Sequence, residues 1–232
     1  MAASAVYQPS VYDSLPGLLD AARTLQERDP EELLKNQIAD LFLKHEVFKE
    51  LAICLIHRHF DLSPSEKLVE NGAVSCPWEY SQADSDIVGG AVVPRSWTFR
   101  DGQLFPFEFG YNEGLQDTFY KQLPDKPQFY TELNALLEEH GLTELLGLTL
   151  NTGDTPSGTV KFEKTFDRAN VIFTIKEGGD MDAKDSVTAQ WVFSSIGDFS
   201  APVKKCVLSI RPFYALMLIE IGLPAAVDAF VL

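Results

Sequence analysis

The chain carries its clearest fold signal in the stretch SWTFRDGQLFPFEF, residues 96–109. Asp101-Gly102 is a strong two-residue turn signal, and it lies between two runs rich in aromatic residues. The turn predicts an antiparallel hairpin in which Trp97 faces Pro106. Because apolar residues occupy both faces of the second strand, we predict that this strand is covered on both sides.

Glu108 is the one charged residue within that second strand. The predicted register places Arg95 opposite Glu108, provided that the ladder continues beyond the turn-proximal pairs. A buried carboxylate needs a partner, so one hypothesis is a structural ion pair between Glu108 and Arg95. The other hypothesis is a catalytic carboxylate, because functional sites often contain buried acids with a perturbed pKa.

A helical pattern precedes the hairpin, and it begins where Asp29 caps and Pro30 takes the first helical position. Apolar residues and two histidines then recur at three- and four-residue spacing, at Leu34, Ile38, Leu41, His45, Phe48, Ala52, Leu55 and His59. This stripe predicts one long helix that ends before Pro64, with a break near Lys44 as the alternative.

The end of the stripe carries His57, His59 and Asp61. Residues two apart on a helix point about 200° apart, so we predict no metal site and no cofactor here unless the helix stops by Leu55. In one interpretation His59 is a buried residue that hydrogen-bonds to a backbone carbonyl or to Asp61. In the other, His57 or His59 is a general acid or base oriented by Asp61 or Glu108. All four are therefore candidate catalytic residues.

The run LIHRHFDL, residues 55–62, resembles a segment found in many uncharacterised fungal proteins. Pro77-Trp78 and LFPFEF, residues 104–109, are similar to later segments of those proteins. The resemblance covers roughly residues 45 to 110 and implies a fungal protein. It implies no activity, but it groups His57, His59 and Glu108 as residues that merit attention.

The domain organisation follows from the order of these patterns. We predict a loose N-terminal tail over residues 1–10 and a single α+β domain over 11–232. Its predicted parts are a helical segment 11–62, hairpins 66–110 that include a turn at Asn71-Gly72, helices 112–141, an antiparallel meander 144–210 and a C-terminal helix 212–222. The predicted fold is α+β, with N-terminal and central helices packed on a largely antiparallel β-sheet.

Composition limits the partners and the location of the protein. The net charge of −15 opposes general attraction to phosphate backbones and anionic membranes, so we expect no nucleic-acid partner and no membrane partner. The three cysteines form no Cys-x-x-Cys motif, and the N-terminus resembles no secretory leader. These features predict a soluble cytoplasmic protein.

Three functions remain open at the level of sequence, and the last of them is metal-dependent chemistry at His57 and His59. The first two are favoured over it. The first is a domain that binds a small molecule or a protein partner without catalysis. The second is a cofactor-independent enzyme, such as a lyase, isomerase or cyclase, that uses a histidine and a carboxylate as acid and base. A direct contact between His59 and Glu108 in a pocket would favour the enzyme, whereas a Glu108–Arg95 pair would favour a structural role. The sequence does not indicate the oligomeric state.

Overall fold

The computed structural model of the protein describes residues 4–80, 90–113, 123–153, 155, 157–176, 186–194 and 200–207. The helical elements are α1 (Pro9–Asp13), α2 (Leu18–Arg28), α3 (Glu31–Leu33), a π-helical turn (Leu34–Ile38), α4 (Ala39–Lys44) and α5 (Pro127–Glu139). The strands are β1 (Leu51–Leu55), β2 (Glu66–Asn71), β3 (Val74–Glu79), β4 (Gly90–Arg100), β5 (Gln103–Glu113), β6 (Leu146–Leu150), β7 (Thr159–Phe166), β8 (Ala169–Lys176), β9 (Ser186–Phe193) and β10 (Ser200–Val207).

The ten strands form a closed barrel in the order β1-β6-β4-β5-β2-β3-β8-β7-β10-β9, and β9 completes the ring by pairing with β1. Most neighbours are antiparallel, but β2 pairs with β5 and β7 pairs with β10 in parallel. The predicted α+β fold, with helices packed on a largely antiparallel sheet, is therefore wrong. The hydrophobic pattern indicates individual strands, but it does not show which strands pair. Closure of the ring depends on pairings between distant parts of the chain.

The single helix predicted from Pro30 to before Pro64 is wrong, and the alternative of a break near Lys44 is confirmed. The helical part ends at Lys44, and the buried strand β1, which begins at Leu51, follows in place of a continued helix. Leu51 and Leu55 pack with the helices, whereas Cys54 belongs to a second apolar cluster. A strand that is buried on both faces is apolar at every position, so a helical spacing can be found in it by coincidence.

Aromatic side chains attach the helices to the barrel. Phe42 of α4 meets Phe129 of α5 edge to face, with ring centroids 5.0 Å apart, and meets Phe193 of β9 at 4.4 Å. Burial of each such ring contributes about 1.5–3 kcal/mol, which holds this helical layer against β9.

No helix among the described residues is long and apolar enough to cross a membrane.

The predicted hairpin at Asp101-Gly102 is confirmed in β4 and β5, where Trp97 pairs with Pro106. Both turn residues have positive φ, 48° at Asp101 and 71° at Gly102, as the favoured two-residue turn requires. The hairpin predicted at Asn71-Gly72 is also present in β2 and β3. Its turn is shifted by one residue, because Asn71 pairs with Val74 and leaves Gly72 and Ala73 as the loop.

Some predicted elements fall outside the described residues. These are most of the helix predicted from Asn112 to Leu123, the end of the last predicted strand beyond Val207, and the C-terminal helix 212–222. Part of the predicted loose tail is described, and it contacts the barrel. The backbone N–H of Ala5 donates a hydrogen bond of 2.8 Å to the carbonyl of Leu104.

Candidate functional site

Irregular pairing between β4 and β5 brings polar side chains into the barrel lumen. Ser96 pairs with Glu108, but its neighbour Trp97 pairs with Pro106, so Phe107 is an extra residue on β5. A bulge of this kind disrupts the regular alternation of side chains and re-aims one of them. Glu108 can therefore point into the lumen from a strand that is otherwise rich in aromatic residues.

Glu108 contacts a histidine and a hydroxyl instead of the predicted arginine. Its Oε2 accepts a hydrogen bond of 2.7 Å from Ser96 Oγ, and its Oε1 lies 3.4 Å from His59 Nε2. A second register shift makes Arg95 an extra residue on β4, and Arg95 forms an ion pair with Glu70. The hypothesis of a Glu108–Arg95 ion pair is therefore wrong, because the bulge moves Arg95 out of register.

His57 and His59 lie side by side just beyond the end of β1. Their ring centroids are 4.6 Å apart, with 74° between the ring planes, so the divergence expected for a helix does not occur. His57 Nδ1 lies 2.9 Å from the carbonyl oxygen of Leu55, and its Nε2 lies 3.5 Å from Cys206 Sγ. Because a carbonyl oxygen only accepts, Nδ1 carries the proton and Nε2 presents a lone pair toward the thiol.

β7 and β10 supply three further residues, Glu163, Lys204 and Cys206, that the sequence did not indicate as site residues. Lys204 Nζ lies 3.0 Å from Glu163 Oε2, and the Cys206 thiol lies 3.3 Å from the same oxygen. Asn170 donates a hydrogen bond to the other carboxylate oxygen of Glu163. His59 Nε2 is 3.9 Å from that oxygen, so His59 lies between the carboxylates of Glu108 and Glu163.

Asp61, the fourth candidate residue, lies apart from this group. Its side chain is 88% exposed and forms a 3.2 Å ion pair with Arg58. The segment around His59 is instead held by Tyr12, whose hydroxyl accepts from the His59 backbone N–H at 3.4 Å and donates to the Phe60 carbonyl at 3.2 Å. Tyr12 therefore fixes the backbone of this segment, whereas Glu108, not Asp61, contacts the His59 ring.

We call the six side chains that meet inside the barrel the lumen cluster: His57, His59, Glu108, Glu163, Lys204 and Cys206. The pKa values of its two histidines shift in opposite directions. Burial, together with the charge of His59, lowers the pKa of His57 to about 4. Burial also acts to lower the pKa of His59, but the charge of Glu163 and the hydrogen bond to Glu108 outweigh it and raise that pKa. His57 is therefore neutral near pH 7.

The acids and the lysine of the lumen cluster remain charged despite their burial. Burial opposes ionisation of Glu108, but the hydrogen bond from His59 and the charge of Lys204 lower the pKa of Glu108 to about 2. In the same way, Lys204 and His59 outweigh burial and lower the pKa of Glu163. Burial acts to lower the pKa of Lys204, but Glu163 and Glu108 raise it overall. Burial raises the pKa of the Cys206 thiol.

A cavity of about 220 Å³ opens at the end of the barrel where β6 ends and β7 begins. Its charged lining consists of Arg95, Lys161 and Lys204 with Glu70, and the polar residues around it include Asn151, Thr152, Thr155 and Gln190. His57, His59 and Glu108 are not part of its described lining. Lys204 is thus the residue that connects the cavity to the lumen cluster.

Glu163, Lys204 and Cys206 were missed in the sequence for the same reason. Regular alternation assigns charged strand positions to solvent and apolar positions to the core. In this barrel Glu163 faces the lumen, while the adjacent Phe162 is fully buried and stacks on Phe173 with centroids 6.0 Å apart. The position of a charged residue beside a phenylalanine was visible in the sequence of this strand. It did not show which face of the strand lines the lumen.

Comparison with protein families, with curated proteins and with solved structures gives no match for this chain.

Proposed function

We propose that the barrel binds a small organic anion in the cavity at its open end, with Lys204 as the principal contact. The observation that carries this proposal is the charge of the cavity wall. Three basic side chains, Arg95, Lys161 and Lys204, line the cavity together with one carboxylate, Glu70, in a chain whose net charge is −15. Glu70 pairs with Arg95, so the two lysines supply the excess positive charge of the described wall. A basic cavity in an acidic protein attracts anions and repels cations.

Lys204 is suited to hold an anion rather than to act as a nucleophile. Its side chain is 17% exposed, and its Nζ lies 3.0 Å from Glu163 Oε2. An amine that forms Schiff bases must lose its proton, and lysines with that role lie in apolar or cationic surroundings. Two carboxylates of the lumen cluster surround Lys204 instead, which favours the ammonium form.

The size of the cavity limits the ligand. Its volume of about 220 Å³ is below the roughly 300–1,000 Å³ of sites for drug-sized molecules. A short mono- or dicarboxylate matches this space and the basic wall better than a nucleotide or a lipid. The polar side chains at the rim can hydrogen-bond to the remaining oxygens of such a ligand.

Acid–base catalysis by His59 and Glu108 is the alternative function, and their 3.4 Å contact is the feature that favours it. The His59 side chain is 2% exposed and is enclosed by Glu108, Glu163 and Tyr12. A general base must come within hydrogen-bond distance of the proton that it removes. Because the described cavity wall includes neither residue, binding without catalysis is the function that we favour.

The test is calorimetric titration with malonate and succinate, with malonamide as an uncharged match for malonate. We expect the dicarboxylates to bind and malonamide not to bind. Lys204→Gln should weaken dicarboxylate binding about tenfold to a hundredfold, the equivalent of one charge-assisted hydrogen bond. Lys205→Gln is the matched control, because Lys205 is the adjacent lysine and does not line the cavity.

Lys161→Gln provides a second variant at the cavity wall, in case removal of Lys204 disturbs folding around Glu163. Circular dichroism and the melting temperature show whether each variant is folded. Equal affinity for malonate and malonamide would contradict the proposal. So would unchanged dicarboxylate binding by a folded Lys204→Gln protein.

A further inference from the structure

We infer that His57, Glu163 and Cys206 form a binding site for a divalent transition-metal ion of the zinc type. The inference rests on an imidazole nitrogen, a thiol sulfur and a carboxylate oxygen, and only the carboxylate, which contacts Lys204, also enters the anion proposal. These ligand atoms all lie within 4.8 Å of one another, and all three residues are buried. None of the three residues belongs to the described lining of the cavity.

The spacing of the three atoms is close to that of metal ligands. Zinc binds sulfur at about 2.3 Å, imidazole nitrogen at about 2.0–2.1 Å and carboxylate oxygen at about 2.0–2.2 Å in tetrahedral geometry. Bonds of these lengths at tetrahedral angles place sulfur about 3.5–3.7 Å from the nitrogen and the oxygen, and the nitrogen about 3.3–3.5 Å from the oxygen. In the barrel, His57 Nε2 is 3.5 Å from Cys206 Sγ, Cys206 Sγ is 3.3 Å from Glu163 Oε2, and all the ligand atoms lie within 4.8 Å of one another. A small outward movement of the sulfur from the carboxylate is therefore enough to admit the ion.

The Cys206 thiol lies between two acceptors. His57 donates its Nδ1 proton to Leu55, so its Nε2 can only accept. Glu163 is a carboxylate that also only accepts, and Lys204 already contacts its Oε2. The thiol holds a single proton, which can go to Nε2 or to the carboxylate but not to both. A metal ion that displaces this proton to solvent accepts from the nitrogen, the oxygen and the thiolate sulfur together.

The backbone fixes the ligands from three directions. Cys206 and Glu163 are paired residues of the parallel strands β10 and β7. His57 follows β1, and its bond to Leu55 sets the plane of its ring. Metal-bound histidines commonly donate their second N–H to a carbonyl in this way. Rigid strands and a fixed ring orient the three donors before an ion arrives.

The donor set indicates which ion fits. A thiolate with an imidazole and one carboxylate suits zinc or cobalt(II), whereas magnesium and calcium prefer oxygen ligands alone. The thiolate and the carboxylate together balance a divalent charge, although Lys204 at 3.0 Å from Glu163 and the His59 ring at 4.6 Å from that of His57 both oppose a cation. The nearby carboxylate of Glu108 offsets that opposition. His59 Nε2 is directed at Glu108, so a water molecule is expected in the fourth position.

The test uses the full-length wild-type chain, stripped with a chelator and then titrated with Co²⁺, whose thiolate complexes absorb in the near ultraviolet. We expect binding of about one ion per chain with a thiolate-to-cobalt band, and displacement of Co²⁺ by Zn²⁺. Zn²⁺ should also raise the melting temperature, since it binds the folded state. Failure to bind an ion in equimolar amount, or binding without the thiolate band, would overturn the inference.

Cysteine variants locate the site. Cys206→Ala should abolish the band and weaken Co²⁺ binding more than the roughly 10- to 100-fold loss that follows removal of a group hydrogen-bonded to a metal ligand. Cys54→Ala is the matched control, because Cys54 is another buried free cysteine outside the three-residue group. His57→Gln is the second variant if Cys206→Ala does not fold. Retention of the band in both folded site variants, or its loss only in Cys54→Ala, would refute the assignment.

Discussion

Ser96 is the buried hydroxyl that fixes Glu108 in the lumen. Its Oγ lies 2.7 Å from Glu108 Oε2 and 3.0 Å from Thr149 Oγ1, and the residue is 1% exposed. Ser96→Ala removes a donor to a buried carboxylate, so we expect the free energy of unfolding to fall by about 1.5–3 kcal/mol. Urea denaturation of the purified variant measures this change. A loss below about 0.5 kcal/mol would show that Glu108 does not depend on Ser96.

Thr98 provides the matched control two residues further along β4. It is fully buried, and its Oγ1 has no hydrogen-bond partner among the described residues. Valine has a similar shape, and its substitution for Thr98 removes an unsatisfied hydroxyl. Such a removal costs little free energy of unfolding or increases it. Thr98→Val should therefore leave the free energy of unfolding unchanged or increase it, in contrast to Ser96→Ala.

At the scale of the elements, Glu66 connects the start of β2 to the β7–β8 turn. Its Oε2 accepts a 2.7 Å hydrogen bond from the Ser63 backbone N–H and pairs with Arg168. Burial opposes its ionisation, but the hydrogen bonds from Arg168 and Ser63 outweigh burial and lower the pKa of Glu66. Because the Arg168 side chain is 46% exposed, solvent screening limits the pair to about 1 kcal/mol.

The lowered pKa predicts how this contact responds to acid. The stabilisation is fully present above the unfolded value of about 4.3, and it is lost as the pH falls toward the folded pKa. Glu66→Gln should lower the free energy of unfolding by about 1 kcal/mol at pH 7, and the difference from wild type should shrink as the pH falls below the unfolded pKa of about 4.3. Denaturant titrations at several pH values measure it. A difference that stays constant with pH would exclude the ion pair as its source.

Arg168→Gln tests the same contact from the other strand pair. If the pair accounts for the effect, the two single variants lose similar amounts and the double variant loses little more. Fully additive losses would show that Glu66 and Arg168 act independently.

At the scale of the whole molecule, Gly147 lets β6 lie tightly between β1 and β4. It pairs with Cys54 of β1, and a Cβ at this position would overlap the carbonyl oxygen of Trp97 and lie 3.1 Å from Ile56 Cγ1. Gly147→Ala should therefore lower the free energy of unfolding by more than about 2 kcal/mol, because backbone cannot yield as a flexible side chain does. Thermal and urea unfolding measure the loss.

Gly17→Ala is the control for that substitution. A Cβ at Gly17 meets no atom within 4 Å, and its φ of −66° suits any residue. We expect the stability of this variant to stay within about 0.5 kcal/mol of wild type. Equal losses at Gly147 and Gly17 would contradict the proposed role of close strand packing.

The parts of the fold that were predictable from sequence are local. The Asp101-Gly102 turn determines the neighbouring pairs of β4 and β5, because a two-residue loop leaves one register available. The sequence identified a contact between His59 and Glu108 as the observation that would favour an enzyme. The geometry of that contact depends on the β5 bulge, which the residue pattern does not indicate. Glu163 and Cys206 were missed because the parallel pairing of β7 with β10 brings them together, and only the closed barrel places them beside His57, which follows β1.

The closure of the ring by β9 against β1 also governs how the chain reaches its folded state. Ile53 pairs with Trp191. β1, which is synthesised early, therefore completes its pairing only after β9 has been synthesised. Contacts of such long sequence separation slow folding, and an unpaired strand edge recruits other chains in the meantime. We expect chains that stop before β9 to aggregate during translation, since β1 then exposes a free edge with five apolar residues.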